Sequence, residues 1–238
     1  MSAETFTSPW PAAAARARGR ADKREAVLRT AVRLFNEKGF HATSLDEVAE
    51  RLHVTKPTLY YYVESKEAIL FACVQIGLEM VREGIAEAAR SGGSALDKLR
   101  GCMRAYASVV TRDFGMCVIR VGEEPLPADS RRRLRALKAK IDHEFRGLIE
   151  QGIAEGVIAP CDAKLAAFTL AGGLSWIGRW YDPAGPLDAD TVAERCIDVL
   201  LNGVVPRAGA VGAATRRVAA ARRPVSKRPP KPAHRGKA

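Results

Sequence analysis

The sequence predicts an all-α protein, and three observations carry that prediction. Across most of its 238 residues, apolar side chains recur at three- and four-residue intervals, the period of a helix with one buried stripe. No stretch alternates apolar and polar residues for long enough to read as a strand. Glycine and proline fall between the periodic segments, at Gly39, Gly92, Gly93, Pro125, Pro127, Gly156, Pro160, Pro183, Gly185 and Pro186, where they stop helices.

Residues 1–19 are rich in Ala, Pro and Arg without an apolar period, and are expected to be a disordered arm. Arg16, Arg18 and Arg20 sit just before the first helix. Such an arm either meets a phosphate or minor groove, or is only a solvated tail. The first helix is expected over residues 21–38. Val27, Ala31 and Leu34 form its stripe, Leu28, Val32 and Phe35 widen it, and Gly39 suits the position just past its end.

Residues 44–66, SLDEVAERLHVTKPTLYYYVESK, organise the rest of the chain. Ser44 followed three residues later by Glu47 has the pattern of a capping box. Leu45, Val48, Ala49 and Leu52 then share one helical face. The period breaks at His53-Val54. Thr55 is a suitable N-cap for a second short helix, with Pro57 in its first turn, where a missing N–H costs little. Leu59 and Val63 face inward. Lys56, Thr58, Tyr60, Tyr61 and Tyr62 are left to present amine and hydroxyl groups. Ser65 caps the following helix, with Lys66 at its start. A short helix whose N-terminal side carries such groups suits a DNA groove and its phosphates. The same spacing also fits a helical hairpin whose tyrosines merely cover a core.

A long fourth helix is expected over residues 66–90, with Ile69, Leu70, Cys73, Ile76, Gly77, Met80 and Val81 inward. Further helices are expected at about residues 95–111, 115–121, 128–155, 163–181 and 189–201. In the third of these, Leu134, Leu137, Ile141, Leu148 and Ile149 face a core, and Arg131, Arg132, Arg133, Arg135, Lys138 and Lys140 form a solvated face or a site for an anionic ligand tail. In the 163–181 helix, Leu165, Thr169, Gly172, Trp176 and Trp180 form an i+4 row. With Gly173 and Tyr181, this row suits either plain core packing or a helix pair buried between two copies of the chain.

Charge is placed unevenly. The net charge is +11, yet 10 of the 38 Lys and Arg residues and none of the 27 Asp and Glu residues follow Pro206. The body is therefore close to neutral. The tail, residues 206–238, is expected to be disordered because proline and like charge prevent packing. Such tails bind nucleic acid through phosphate neutralisation or only aid solubility. That leaves a second reading of the whole chain, an architectural DNA-coating protein acting through its tail.

The five cysteines are scattered and lack zinc-ligand spacing, which fits reduced thiols and a cytoplasmic setting. No apolar run is long enough for a membrane span, and the N-terminus lacks the pattern of a secretory signal. No nucleophile–base set, phosphate loop or dinucleotide fingerprint is present, so neither an enzyme nor a cofactor is expected. Asp142-His143-Glu144 is the densest acid/base group, but neighbouring residues on a helix point in different directions.

The stretch GFHATSLDEVAERLHVTKPTLYYYVESKEAIL, residues 39–70, resembles the TetR family of bacterial transcriptional regulators. The resemblance implies an N-terminal three-helix DNA-binding domain over residues 20–66 and a helical ligand-binding and dimerisation domain over residues 67–205. It implies that Thr43 and Ser44 meet backbone phosphate. Lys56, Pro57 and Thr58 would form the leading end of the recognition helix, Tyr60, Tyr61 and Tyr62 would meet phosphate and bases, and Lys66 would bind phosphate. His53 departs from the glycine usual in the turn. Residues 173–203 are similar to a subgroup whose members often sense acyl-CoA thioesters. That similarity implies a ligand site drawing on Met103, Tyr106, Phe145, Phe168, Trp176 and Arg179, with Phe145, Phe168 and Trp176 along an acyl slot and Arg179 and the basic residues of the 128–155 helix near phosphates. The implied output is a homodimeric repressor released from a palindromic operator in double-stranded DNA by a small apolar or acyl-CoA effector. The fourth helix would carry the signal.

Overall fold

A computed structural model describes residues 13–204. Among these residues it contains nine helices and no strand: α1 (Ala13–Lys38), α2 (Leu45–Arg51), α3 (Lys56–Tyr60), α4 (Lys66–Ala89), α5 (Ala95–Val110), α6 (Asp113–Arg120), α7 (Ala128–Ala154), α8 (Ala163–Trp180) and α9 (Ala189–Asn202). The expected all-α class holds, and so does each expected helix. The basic tail and the first twelve residues lie outside the described residues.

One boundary differs. α1 begins at Ala13, so residues 13–19, expected as part of a disordered arm, are helical. Lack of an apolar stripe says nothing against a helix that extends one already anchored. Ala and Arg are strong helix formers, and elongation avoids the cost of nucleation.

Helix starts are set by side-chain caps. Ser44, Thr55, Ser65, Ser94 and Asp162 each accept a hydrogen bond from a backbone N–H in the first turn that follows. The expected capping box at α2 forms only half. Ser44 accepts from the Glu47 N–H at 3.1 Å, but the Glu47 carboxylate turns to Lys38 instead. A full box forms at α5, between Ser94 and Asp97. Gly39 has φ 87, as a residue ending a helix requires, and its N–H donates to the Phe35 carbonyl at 3.0 Å.

A continuous apolar core runs from Val27 in α1 to Ile197 in α9. α4 is its axis and packs on α1, α5, α6 and α7. This is why its buried set is wider than one stripe: it adds Ala72, Val74, Leu78 and Ile85, while the expected Ile76 and Met80 are half-buried against it. Gly77 lets α6 approach: a Cβ there would stand 2.8 Å from both the Phe114 carbonyl oxygen and a Val118 methyl. Gly173 does the same for α9, where a Cβ would meet Leu200 at 2.7 Å. α9 is further held by Arg100 and Arg104 of α5, which pair with Glu194 and Asp198.

Candidate nucleic-acid interface and ligand cavity

The turn between α2 and α3 is built on His53, which has φ 54, a left-handed conformation uncommon outside glycine and short polar residues. The turn keeps the geometry that glycine would give. Thr55 then caps α3 twice over, accepting from the Thr58 N–H at 3.4 Å and sharing a hydroxyl contact with Thr58 at 2.9 Å. Leu59 is fully buried and Val63 nearly so, which fixes the roll of α3. The opposite side therefore faces out. Ser44, Lys56, Pro57 and Thr58 are exposed, as are Tyr60 at 47% and Tyr61 at 63%. Those values remove the reading in which these rings cover a core.

Tyr62 goes the other way. It is half-buried, packs against the core, and meets the Tyr61 ring edge-on with centroids 5.1 Å apart. Arg20, one of the arginines expected in an arm, lies on the helical part of α1 and stacks over the Tyr61 ring at 5.0 Å. Lys56 donates to Asp46 at 2.9 Å, and that hydrogen bond, followed by the carboxylate's charge, raises its pKa. The ammonium is thus held at the α2–α3 edge with donors to spare.

Two of the expected phosphate contacts have other work in the folded chain. Thr43 is 2% exposed, and its hydroxyl donates to the Gly39 carbonyl at 2.9 Å, closing the loop between α1 and α2. Lys66 is half-buried. Its ammonium donates to the Phe40 carbonyl at 2.9 Å and the Thr43 carbonyl at 3.0 Å, and sits 4.3 Å from the centre of the Phe40 ring. This lysine ties the start of α4 to the α1–α2 loop. The sequence hides both roles, because the carbonyls they meet lie 4 to 26 residues away and carry no side-chain signal.

A cavity of 290 Å³ lies in the C-terminal half, between α4, α5, α6, α7 and α8. Tyr106, Phe145 and Phe168 line it. Phe145 and Tyr106 meet edge-on at 6.2 Å, and the Tyr106 hydroxyl shares a 2.8 Å hydrogen bond with Ser175. Burial raises the Tyr106 pKa against that hydrogen bond, so the phenol stays neutral. Met103 does not line the cavity; it is fully buried in the core. Trp176 and Arg179 do not line it either. They flank a separate groove of 720 Å³ with His41, Arg120 and Trp180. For Trp176 the reason is helical phase: Phe168, Ala171 and Ser175 share one side of α8, and Trp176 turns about 100° from it, whereas Arg179 is in phase with that side but lies a turn past Ser175, where it donates to the Arg120 carbonyl at 3.1 Å.

Residues not expected at a ligand site also line the wall, among them Leu78, Val118, Ile119, Ile141, Asp142 and Ser175. Ile141 carried a signal through its helical period. The others required knowledge of which helices adjoin. Lys138, expected in a solvated face or a site for an anionic ligand tail, lines the cavity and donates to Glu123 at 3.0 Å. Glu123 also accepts from Arg135 at 3.0 Å. Burial pushes the Glu123 carboxyl up, but the hydrogen bonds from Lys138 and Arg135 outweigh it and hold its pKa below the usual value.

On the outer side of α8, Leu165 is 62% exposed, Trp176 64% and Trp180 49%, with Thr169 and Gly172 also exposed. The row expected to be buried is open in the single chain. Tyr181, grouped with it in the sequence, is instead buried. No helix among the described residues is long and apolar enough to cross a membrane.

An outward recognition-type helix on a three-helix head, joined to a helical body holding a cavity, defines a one-component regulator of the helix-turn-helix class. Family models agree in both halves: residues 27–73 match "Bacterial regulatory proteins, tetR family", and residues 92–204 match "Tetracyclin repressor-like, C-terminal domain". The transcriptional regulator RutR of Escherichia coli K12 is 31% identical over 195 residues, covering 80% of this chain and 88% of that protein. The transcriptional repressor KstR2 of Mycolicibacterium smegmatis is 24% identical over 198 residues, covering 79% and 94%. Among solved structures, AibR in complex with isovaleryl coenzyme A and operator DNA superposes with a TM-score of 0.68 at 28% identity, covering 75% of this chain and 97% of that one. The chain belongs to the TetR family of transcriptional regulators.

Proposed function

We propose that the protein is a homodimeric repressor that leaves a palindromic operator when a small apolar or acyl-CoA-type effector enters the C-terminal half. The observation that carries the DNA side is the outward set of Lys56, Thr58, Tyr60 and Tyr61 along a short helix and its C-cap, whose inner face is locked by Leu59 and Val63, with Ser44 exposed at the start of α2. Two such helices, one per protomer, would enter successive major grooves about 34–36 Å apart. Support for the dimer is the open apolar row Leu165, Trp176 and Trp180 on α8, together with half-exposed Val199 on α9. Contiguous apolar surface of this kind marks interaction sites.

The effector class rests on the apolar cavity and on the likeness to AibR, whose structure holds isovaleryl coenzyme A and operator DNA. A short acyl group suits the cavity, and the exposed Arg179 on a separate groove is available to a phosphate-bearing headgroup. Release requires a binding difference between two states, typically about 1–3 kcal/mol of coupling. The α4 helix runs from the α3 edge to the cavity wall at Leu78 and would carry it.

The test is a gel shift on the promoter regions of the gene itself and its neighbours, with and without isovaleryl-CoA. Tyr61→Ala should weaken a specific site by about 1–3 kcal/mol while leaving the fold intact. Full affinity in Tyr61→Ala would remove α3 from the interface. A specific complex indifferent to CoA thioesters would remove the effector class alone.

A further inference from the structure

The cavity wall is apolar over most of its area, but one spot is not. Asp142 lines it from α7, and its carboxylate pairs through Oδ2 with Arg146 one turn later. The other carboxylate oxygen, Oδ1, is closed off from bulk solvent and has no hydrogen-bond donor. The Nε–H of Arg146 is likewise buried without an acceptor. The two unmet atoms thus belong to one ion pair, one an acceptor and the other a donor. Folded proteins rarely leave such atoms unpaired, and each calls for an explanation. The Arg146 guanidinium is capped by the Phe168 ring at 5.4 Å, and Phe168 is half-exposed at the mouth of the same cavity. The pair is therefore sealed by a side chain with room to move, rather than by the packed core.

We propose that the effector carries a hydroxyl group on its apolar body, and that Asp142 selects for it. A hydroxyl is a small group that can donate, so one reaching past the Phe168 ring meets Oδ1 with its O–H, while Arg146, which is outside the cavity lining, holds the carboxylate through Oδ2. A carboxylate in that place would face Asp142 with like charge. A pure hydrocarbon would leave Oδ1 unmet. At about 30 Å³ per water-sized group, the 290 Å³ of the cavity holds on the order of ten non-hydrogen atoms, a small ring or short branched chain. This assignment rests on the reading of the cavity as the effector site, and names the chemistry it takes.

The test uses two shape-matched probes of eight non-hydrogen atoms, p-cresol and p-xylene, titrated calorimetrically into the full chain. They differ only in a hydroxyl against a methyl group. p-Cresol is expected to bind at least about tenfold tighter, the value of one hydrogen bond to a charged partner. In Asp142→Asn that preference should fall to about threefold or less, with the affinity for p-xylene unchanged. Arg146→Met, which leaves the carboxylate in place, serves as a second variant should Asp142→Asn fold poorly; it should lower the preference without abolishing it. Equal affinities in the parent protein, a preference that survives Asp142→Asn, or no binding of either probe at millimolar concentration each overturns the proposal. Neither probe carries CoA, so a failure here is separate from a failure of operator release by CoA thioesters.

Discussion

Replacing Lys66 by Met separates two roles for this side chain that make opposite predictions. If the ammonium serves the fold, its removal takes away two hydrogen bonds to carbonyls at 2.9 and 3.0 Å and a contact with the Phe40 ring at 4.3 Å. Hydrogen bonds from a charged donor contribute ~1.5 kcal/mol each at the low end of their range. A half-exposed cation–π contact adds about 0.5 kcal/mol. The rotamer freedom regained by the long side chain offsets about 1.5 kcal/mol. The net loss is about 2 kcal/mol, which for a chain of this length lowers Tm by roughly 4–8 °C. Operator affinity measured well below Tm should keep its salt dependence. If the ammonium instead bound a phosphate, the slope of log K against log salt would become shallower by about 0.9 and Tm would hold. Lys56→Met is the internal contrast, because Lys56 is exposed and pairs with Asp46 at the surface; there the slope should change and Tm should not. The assays are scanning calorimetry and fluorescence anisotropy at four or five salt concentrations. A shallower slope with an unmoved Tm in Lys66→Met would refute the clamp.

Three further expectations follow from the packing. Gly77→Ala places a methyl 2.8 Å from the Phe114 carbonyl and Val118, prising α6 from α4, and should cost about 1–3 kcal/mol in denaturant unfolding. Glu123 has a folded pKa held below its unfolded value, so its contribution is present above about pH 4.3 and is lost as pH falls through the folded value. Glu123→Gln should therefore destabilise by less than about 1 kcal/mol at pH 7, and the gap to the parent should close in acid melts. Leu165→Glu puts a charge into the open row of α8 and should shift light-scattering mass from dimer to monomer while leaving helical circular dichroism unchanged.

Most of the fold was legible in the chain because its signals are local. Helix period, caps at Ser44, Thr55 and Ser65, and stops such as Gly39 act over three or four residues, which is the range a sequence displays. The same holds for the outward aromatics of α3: once Leu59 and Val63 point inward, the helical phase dictates where Tyr60 and Tyr61 go. The ligand side was legible only in part. Tyr106, Phe145 and Phe168 do meet at one cavity, but Met103 is in the core, and Trp176 lies one residue past Ser175 and so turns away.

What the chain alone determined is that it is helical, that it ends its helices where it does, and that it carries a tyrosine-bearing helix after a tight turn. Which lysine holds a loop and which lies exposed at the α2–α3 edge was decided by the fold, since Lys66 finds carbonyls 23 and 26 residues back while Lys56 meets Asp46 at the surface. The fold also decided that Asp142 lines a cavity rather than a wet surface. Helix periodicity fixes a residue's angle about its own axis; only the packing of five helices against one another says what lies in that direction.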